Sequence, residues 1–418
     1  MNNQSKQHAI PPLSYNPQLD GLRCFAVLFV CAYHWLPFVS QLLNKSFRGV
    51  TDFYFVLIGG LINFFFVLSS FLITRILFSA QAKGESLDVS RFKVIGVFLL
   101  RRSIRIFPAY YCYLLIILLL PFGNEMKEHG AMYLSYLSNY RIFASNQYDH
   151  STAHLWTLAV EEQFYLLWPF FILFVPKRSI LKGLVLLIAV STVLKAAFYS
   201  SASVVSQAVL TQYCVDAFAI GALLAYKTIT TTEENYIIDK WFNRALLVLL
   251  PAGVLIIIFK SSHWSFVFNR LLFSMLSMKI IEGAVKGYKN IFGKILEQKT
   301  VVSIGRISYG IYLYHLLVPF AFWKLYSLGW DFLKIHFYNF YTRNMDMLLK
   351  ADTILRSGPV LCLLFTLIAL ILASLSWRLI EAPFNKLKIQ YNYNRKESEK
   401  SWSGLRLRKL IYAYIKKN

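Results

Sequence analysis

The stretch LRCFAVLFVCAYHW, residues 22–35, decides how this chain is read. It is apolar enough to cross a bilayer, yet it carries Arg23 and His34, and an ionisable side chain inside lipid is costly. At about 100° and 1.5 Å per residue, the eleven positions that separate them come to three turns plus roughly 20°. Both side chains therefore share one helical face, about 16 Å apart along the axis. Ionisable groups inside spans face a bundle interior or a water-filled cavity and mark a pathway or reaction site. The structural alternatives are a topological anchor for the arginine and a hydrogen-bonded packing role for the histidine.

The rest of the chain repeats this apolar texture. Of its 418 residues 57% are hydrophobic, too many for a soluble protein of this size. They arrive in blocks of about 15 to 25, as membrane-crossing helices require. The expected fold is all-α, a polytopic membrane helical bundle of about ten transmembrane spans: roughly 21 to 43, 53 to 78, 104 to 122, 155 to 175, 180 to 200, 207 to 226, 245 to 260, 264 to 281, 305 to 326 and 358 to 380. Around it we assign 1–20 as a cytoplasmic amino-terminal segment, 21–383 as one transmembrane domain and 384–418 as a basic cytoplasmic tail. No small-residue cleavage site follows the first apolar stretch, so the first span is read as retained.

The net charge of +23 comes from 44 basic and 21 acidic residues. No basic segment interleaves with stacking aromatics in a soluble domain, which argues against a nucleic-acid partner. With the amino terminus inside, the clusters around Lys83 to Arg105, Lys177 to Lys182, Lys227 to Arg244 and Lys286 to Arg306 all fall on the cytoplasmic side, and so does the tail. This excess places both termini in the cytoplasm. The tail, with Trp402, Leu405, Leu407 and Leu410 among its basic residues, either lies on the anionic inner leaflet or is simply solvated. Cys24, Cys31, Cys112, Cys214 and Cys362 all fall in expected spans with no C-x-x-C and no clustered histidines, so neither a disulfide framework nor a metal site is indicated.

Further polar residues stand where lipid makes them conspicuous. Arg101, Arg102 and Arg105 guard the inner end of the third span in RRSIRIFPAYY. Arg102 and Arg105, three apart, share a face and suit a polyphosphate, bidentate partner of guanidinium; the alternative is positive-inside anchoring. Glu161 and Glu162 enter with the fourth span from the outer side, pointing about 100° apart, so that at most one is expected to face a given cavity. His315 ends the aromatic run SIGRISYGIYLYH, with Tyr312 three residues before it, and reads equally as a site residue or as packing. Glu381, in WRLIEAPF, is expected to pair with Arg378. There is no G-x-x-x-x-G-K-[ST], G-x-S-x-G, G-x-G-x-x-G or H-E-x-x-H, which leaves chemistry to His, Arg and Glu.

Taken together, six stretches resemble the acyltransferase family 3 of integral membrane acyltransferases. These are QLDGLRCFAVLFVCAYHW, NFFFVLSSFLITRIL, FLLRRSIRIFPAYY, HLWTLAVEEQFYLLWP, SIGRISYGIYLYH and LIEAPF, in the family's order. Ser70 departs from the pattern, which commonly has Gly there, and leaves open how closely backbones approach at that point. With no hydrolase-like domain after the last span, the chain resembles the stand-alone members, which act on surface polysaccharides and related acceptors.

The resemblance implies an O-acyltransferase, most often an O-acetyltransferase, of the inner or plasma membrane. Its expected partners are an acyl-CoA donor, acetyl-CoA above all, used as co-substrate with no permanently bound cofactor, and a cell-surface or lipid-linked glycan acceptor. His34, Arg23, Glu161 and Glu162 are the candidate catalytic residues, Arg101, Arg102 and Arg105 the donor site, and Asp20, His315, Tyr312 and Glu381 acceptor or supporting groups. His34 would act as general base or carry the acyl group itself, Arg23 would hold the donor or the oxyanion, and a carboxylate would orient a histidine or bind the acceptor. The alternatives are a transporter or flippase for a lipid-linked saccharide, whose proton and substrate paths use the same residue types, and an O-acyltransferase for a macrolide-like small molecule.

Overall fold

The computed structural model describes residues 15–40, 48–120, 124–148, 151–200, 203–259, 262–388 and 391. The expected docking of the basic tail falls outside them. Among the described residues every regular element is helical. The long helices are α1 (Pro17–Ser40), α2 (Arg48–Ser86) and α3 (Arg91–Leu119), followed by the short α4 (Asn124–Leu134) and α5 (Ser138–Ser145). Next come α6 (Leu155–Phe174), α7 (Lys177–Ala197), the single turn α8 (Val204–Gln207), α9 (Val215–Lys227) and α10 (Thr232–Ile258). The turn α11 (Ser262–Trp264) leads into α12 (Arg270–Lys286), α13 (Ile291–Leu296), α14 (Lys299–Arg306) and α15 (Ser308–Tyr314). Then α16 (Leu317–His336), α17 (Tyr338–Arg343), α18 (Met345–Leu355), α19 (Gly358–Ser376) and α20 (Ala382–Leu387) are the last helices among the described residues.

Six stretches among the described residues are long and apolar enough to cross a membrane: Gly60–Ser86, Arg91–Leu119, Leu155–Phe174, Lys177–Ala197, Ser262–Lys286 and Gly358–Leu387. Two expected spans are built differently. The span expected over 207 to 226 is a 3-10 turn followed by the thirteen-residue α9, every residue of which but Val215 is buried. The span expected over 305 to 326 is broken at His315 and Leu316 into α15 and α16.

Helix α2 runs through the centre, packed against α1, α6, α9 and α12. Its contact with α9 is close because Gly221 sits at the crossing, where a Cβ would come within 2.2 Å of the Val67 carbonyl. Ser70, on the other side of that crossing, is buried and donates to the Phe218 carbonyl at 2.5 Å. The close approach that Ser70 left open is thus supplied by a glycine on the neighbouring helix. Aromatic rings fill the seam between α6 and α9: Phe164 stacks on Phe218 with centroids 4.1 Å apart.

The break at His315 has a local cause. Pro319 lacks the N–H that would bond the carbonyl four residues earlier, which is that of His315. An orphaned carbonyl buried in a bundle must find another donor. Trp35 Nε1 provides it, at 2.9 Å. Two neighbouring carbonyls take side-chain nitrogens as well, Tyr312 from His315 Nδ1 at 2.6 Å and Leu313 from His154 Nε2 at 3.0 Å. The interruption therefore gathers three aromatic side chains from three parts of the chain.

Candidate active site

A cavity of about 340 Å³ opens between α2, α3, α6 and α15. One wall is a face of α2 running from Ile62 to Ile76, a length of about 21 Å at the helical rise. At one end Arg23, Arg102 and Arg105 project into it. At the other it closes on Thr157 and Tyr312.

The guanidinium end is ordered by local pairs. Arg23 bonds Asp20, three residues before it on α1, at 2.8 Å. Asp20 also accepts from Tyr15 at 3.0 Å, and Arg306 donates to that phenol at 2.9 Å. Arg102 lies over the rings of Phe98 and Tyr165, 5.7 and 6.0 Å from their centroids. Arg101 is not part of the lining.

Both carboxylates line this same cavity, contrary to the expectation that at most one could. The reason is its width: α6 presents Thr157, Leu158, Glu161, Glu162 and Tyr165, a stripe broad enough to include two adjacent positions. Tyr165 donates to Glu161 Oε2 at 3.1 Å and shares a 2.6 Å contact with Ser69. Glu162 Oε1 is buried without a hydrogen-bond partner. Among the described residues neither carboxylate is hydrogen-bonded to a histidine.

Those groups lie behind the closed end. His34 Nδ1 is 3.0 Å from His315 Nε2 and 3.0 Å from the Val30 carbonyl. The protonation pattern follows from the acceptors. His315 Nδ1 faces a carbonyl, so in the neutral ring it carries the hydrogen and Nε2 is left as an acceptor. His34 Nδ1 faces two acceptors and must carry its own hydrogen, which leaves His34 Nε2 with a lone pair. That is the tautomer a general base needs. His154, which the sequence reading did not single out, completes the group, its ring 4.9 Å from that of His315.

Between cavity and histidines stands Tyr312. Its hydroxyl is 2.6 Å from Thr157 Oγ1 and donates to the His154 carbonyl at 3.1 Å. His34 itself is not in the cavity lining, so the seam from arginine to histidine runs through Tyr312 and Thr157 and is not an open track.

Two more positions differ from expectation. Glu381 is buried and accepts from Ser376 at 3.1 Å, with no ion pair to Arg378, whose side chain is exposed. The π-helical turn over Trp377–Glu381 widens the spacing and turns the two side chains apart. Lys388, at the end of α20 where that helix packs against α3, was not anticipated; burial, then Arg105, Arg102 and Arg101, push its ammonium down to about 7.

No group of three or more metal-ligating side chains is arranged around a common point among the described residues. No solved structure is similar to this chain. It is 28% identical over 328 residues to the O-acetyltransferase OatA of Staphylococcus aureus, covering 72% of this chain and 50% of that protein. It is 30% identical over 329 residues to the peptidoglycan O-acetyltransferase OatA of Listeria monocytogenes, covering 72% and 49%. The chain thus spans about half the length of the curated relatives it matches. An acyltransferase domain profile matches residues 16–378, nearly the whole described membrane region, and the chain belongs to the acyltransferase family 3.

Proposed function

We propose that this protein is an integral membrane O-acyltransferase, acting most often as an O-acetyltransferase, that moves an acyl group from cytosolic acyl-CoA to a hydroxyl of a cell-surface or lipid-linked glycan. The observation that carries the reading is the polarity of the cavity. Cations line one end, a histidine group with a lone pair on His34 Nε2 stands behind the other, and about 21 Å of α2 separates them. An extended donor fits that polarity, its phosphates at the guanidiniums and its pantetheine arm along the apolar face of Phe65, Leu68 and Leu72. With the guanidinium end facing the cytoplasm, as the charge distribution requires, the thioester is delivered toward the outer half of the bilayer. The relatives' names, O-acetyltransferase and peptidoglycan O-acetyltransferase, support acetyl as the group and a cell-wall glycan as the acceptor.

In this reading the acceptor hydroxyl gives its proton to His34 Nε2 as its oxygen attacks the thioester carbon. The imidazolium then protonates the departing thiolate. His315 holds the ring in the required tautomer. Glu161 and Glu162 keep the donor cavity from being uniformly cationic, which limits how tightly the product coenzyme is retained.

The test is release of free thiol from acetyl-CoA by washed membranes, in dependence on added glycan acceptor. His34→Ala is expected to abolish it with membrane insertion intact; an active, inserted variant removes His34 from the mechanism. Replacing both Arg102 and Arg105 by Ala is expected to raise the donor KM at least tenfold, or about 1.4 kcal/mol. An unchanged KM returns them to anchoring. Saccharide transport without thiol release would favour the flippase.

A further inference from the structure

The proposed mechanism lacks a donor for the charge that develops on the thioester carbonyl oxygen. Arg23, the sequence-based choice, is unsuited: it sits about 16 Å along α1 from His34 and is held by Asp20 at 2.8 Å. Arg102 and Arg105 lie at the same distant end. Where the cavity approaches the histidines, the described lining consists of Ile62, Phe65, Phe66, Leu158, Thr157 and Tyr312. Only the last two carry a hydrogen-bond donor.

Their bonding makes one of those donors available. Tyr312 OH and Thr157 Oγ1 are 2.6 Å apart, and both reach the same acceptor, the His154 carbonyl, at 3.1 and 3.0 Å. Two hydroxyl hydrogens thus serve one buried carbonyl and one another. If Thr157 donates to the carbonyl, the Tyr312 hydrogen is able to turn from Thr157 toward the cavity, the two oxygens moving apart as it does so, and the carbonyl keeps a donor.

Tyr312 is also fixed with respect to the base. Its own carbonyl accepts from His315 Nδ1 at 2.6 Å, and His315 Nε2 accepts from His34 at 3.0 Å. Its ring lies 5.3 Å from that of His315. One residue therefore sets the position of a donor and of the imidazole that orients the base.

Resting on the reading of the cavity as the donor site, we propose that the Tyr312 hydroxyl is a catalytic hydrogen-bond donor to the acyl carbonyl oxygen, with Thr157 holding the His154 carbonyl while it does so. In the step, the acceptor oxygen forms a bond to the carbonyl carbon and its proton passes to His34. The carbonyl electron pair moves onto oxygen, where Tyr312 donates to it. The pair then returns, the C–S bond breaks, and the thiolate takes the proton from His34, giving ester and free coenzyme thiol. Tyr312 keeps its own proton throughout. In a site shielded from water such a donor acts chiefly on the charged intermediate and little on the bound thioester.

Tyr312→Phe keeps the ring and removes only the oxygen. The expected result is a kcat about 100-fold to 1,000-fold lower with the donor KM unchanged. A second readout separates this from a structural role. Replacing the carbonyl oxygen of acetyl-CoA by sulfur, a poor acceptor, is expected to slow the native protein more than Tyr312→Phe, which has no bond left to lose. If Tyr312→Phe fails to accumulate in membranes, Thr157→Val carries the test: with the phenol then claimed by the His154 carbonyl, kcat falls at constant KM. Native kcat in either inserted variant, or an equal sulfur penalty with and without the phenol, overturns the proposal. Absence of thiol release by the native protein would instead overturn the donor-site reading beneath it.

Discussion

His315 is where the reasoning about tautomers can be put at greatest risk. Its Nε2 accepts from His34 Nδ1 at 3.0 Å, and its other nitrogen is committed to the Tyr312 carbonyl at 2.6 Å. In the resting site this is a neutral hydrogen bond, worth about 1 kcal/mol net. When His34 takes the acceptor's proton it becomes an imidazolium, and the same bond becomes charge-assisted, worth roughly 1.5 to 3 kcal/mol. The loss on His315→Phe, which keeps an aromatic ring among Tyr312, His154 and His34, therefore falls on the transition state. Because the resting bond is lost as well, kcat falls by the difference, roughly 0.5 to 2 kcal/mol, or about 2- to 30-fold at 1.36 kcal/mol per tenfold in rate. Residual activity remains because the Val30 carbonyl still accepts from His34 Nδ1 at 3.0 Å. Donor KM stays at its native value, since neither histidine lines the cavity. Initial rates of acceptor-dependent thiol release over a range of acetyl-CoA concentrations separate the two constants. A kcat equal to native refutes the assignment of His315 as the group that positions His34, and a raised KM would move it to donor binding.

At the end of α20, burial together with Arg105, Arg102 and Arg101 lowers Lys388 to about 7, so its ammonium form prevails below that pH and is lost above it. Donor phosphates favour the charged form, and coenzyme A affinity is expected to rise as pH falls from 8.5 to about 6.5, a dependence that Lys388→Met removes. Calorimetric titration across that range checks it, and the same slope in both proteins would count against Lys388 at the phosphates. Away from the site, Lys195 and Asp216 form a fully buried pair at 2.5 Å between α7 and α9. Asp216→Ala leaves an ammonium unpaired in the bundle and is expected to cost about 3 to 5 kcal/mol, with a lower unfolding temperature in detergent. Replacing both, Lys195→Met with Asp216→Leu, should recover most of it; equal destabilisation by both variants would show that the charge is not the cause.

What the sequence could disclose was whatever helical geometry alone determines. Arg102 and Arg105 share a face because they are three apart, and both do line the cavity, while Arg101 does not. Arg23 and His34 share a face of α1 for the same reason. What remained hidden depended on a break in that geometry. His154 immediately precedes α6, and what holds its ring at the site is a partner that helical phase does not reveal, the carbonyl of Leu313 where α15 ends. The one legible signal was Pro319, which removes the N–H due to the His315 carbonyl and so requires a donor from elsewhere.

This changes what the conspicuous residues mean. Read as a string, the charged side chains in lipid look like the chemistry, and the uncharged ones look like packing. In the folded chain the arginines collect at one end of the cavity that Glu161 and Glu162 also line, where they suit the proposed anionic donor. The end proposed to react is built from imidazoles held on carbonyls that the broken helix exposes, and from a phenol and a threonine held on the His154 carbonyl before α6. A thioester and a hydroxyl are both neutral before they react, so a fixed charge beside them would favour water and the ground state. Neutral groups whose hydrogen bonds strengthen only as charge develops lower the barrier without that cost. The break at His315 is in this sense the device that converts a membrane helix, which keeps its polar backbone to itself, into one that lends it to a reaction.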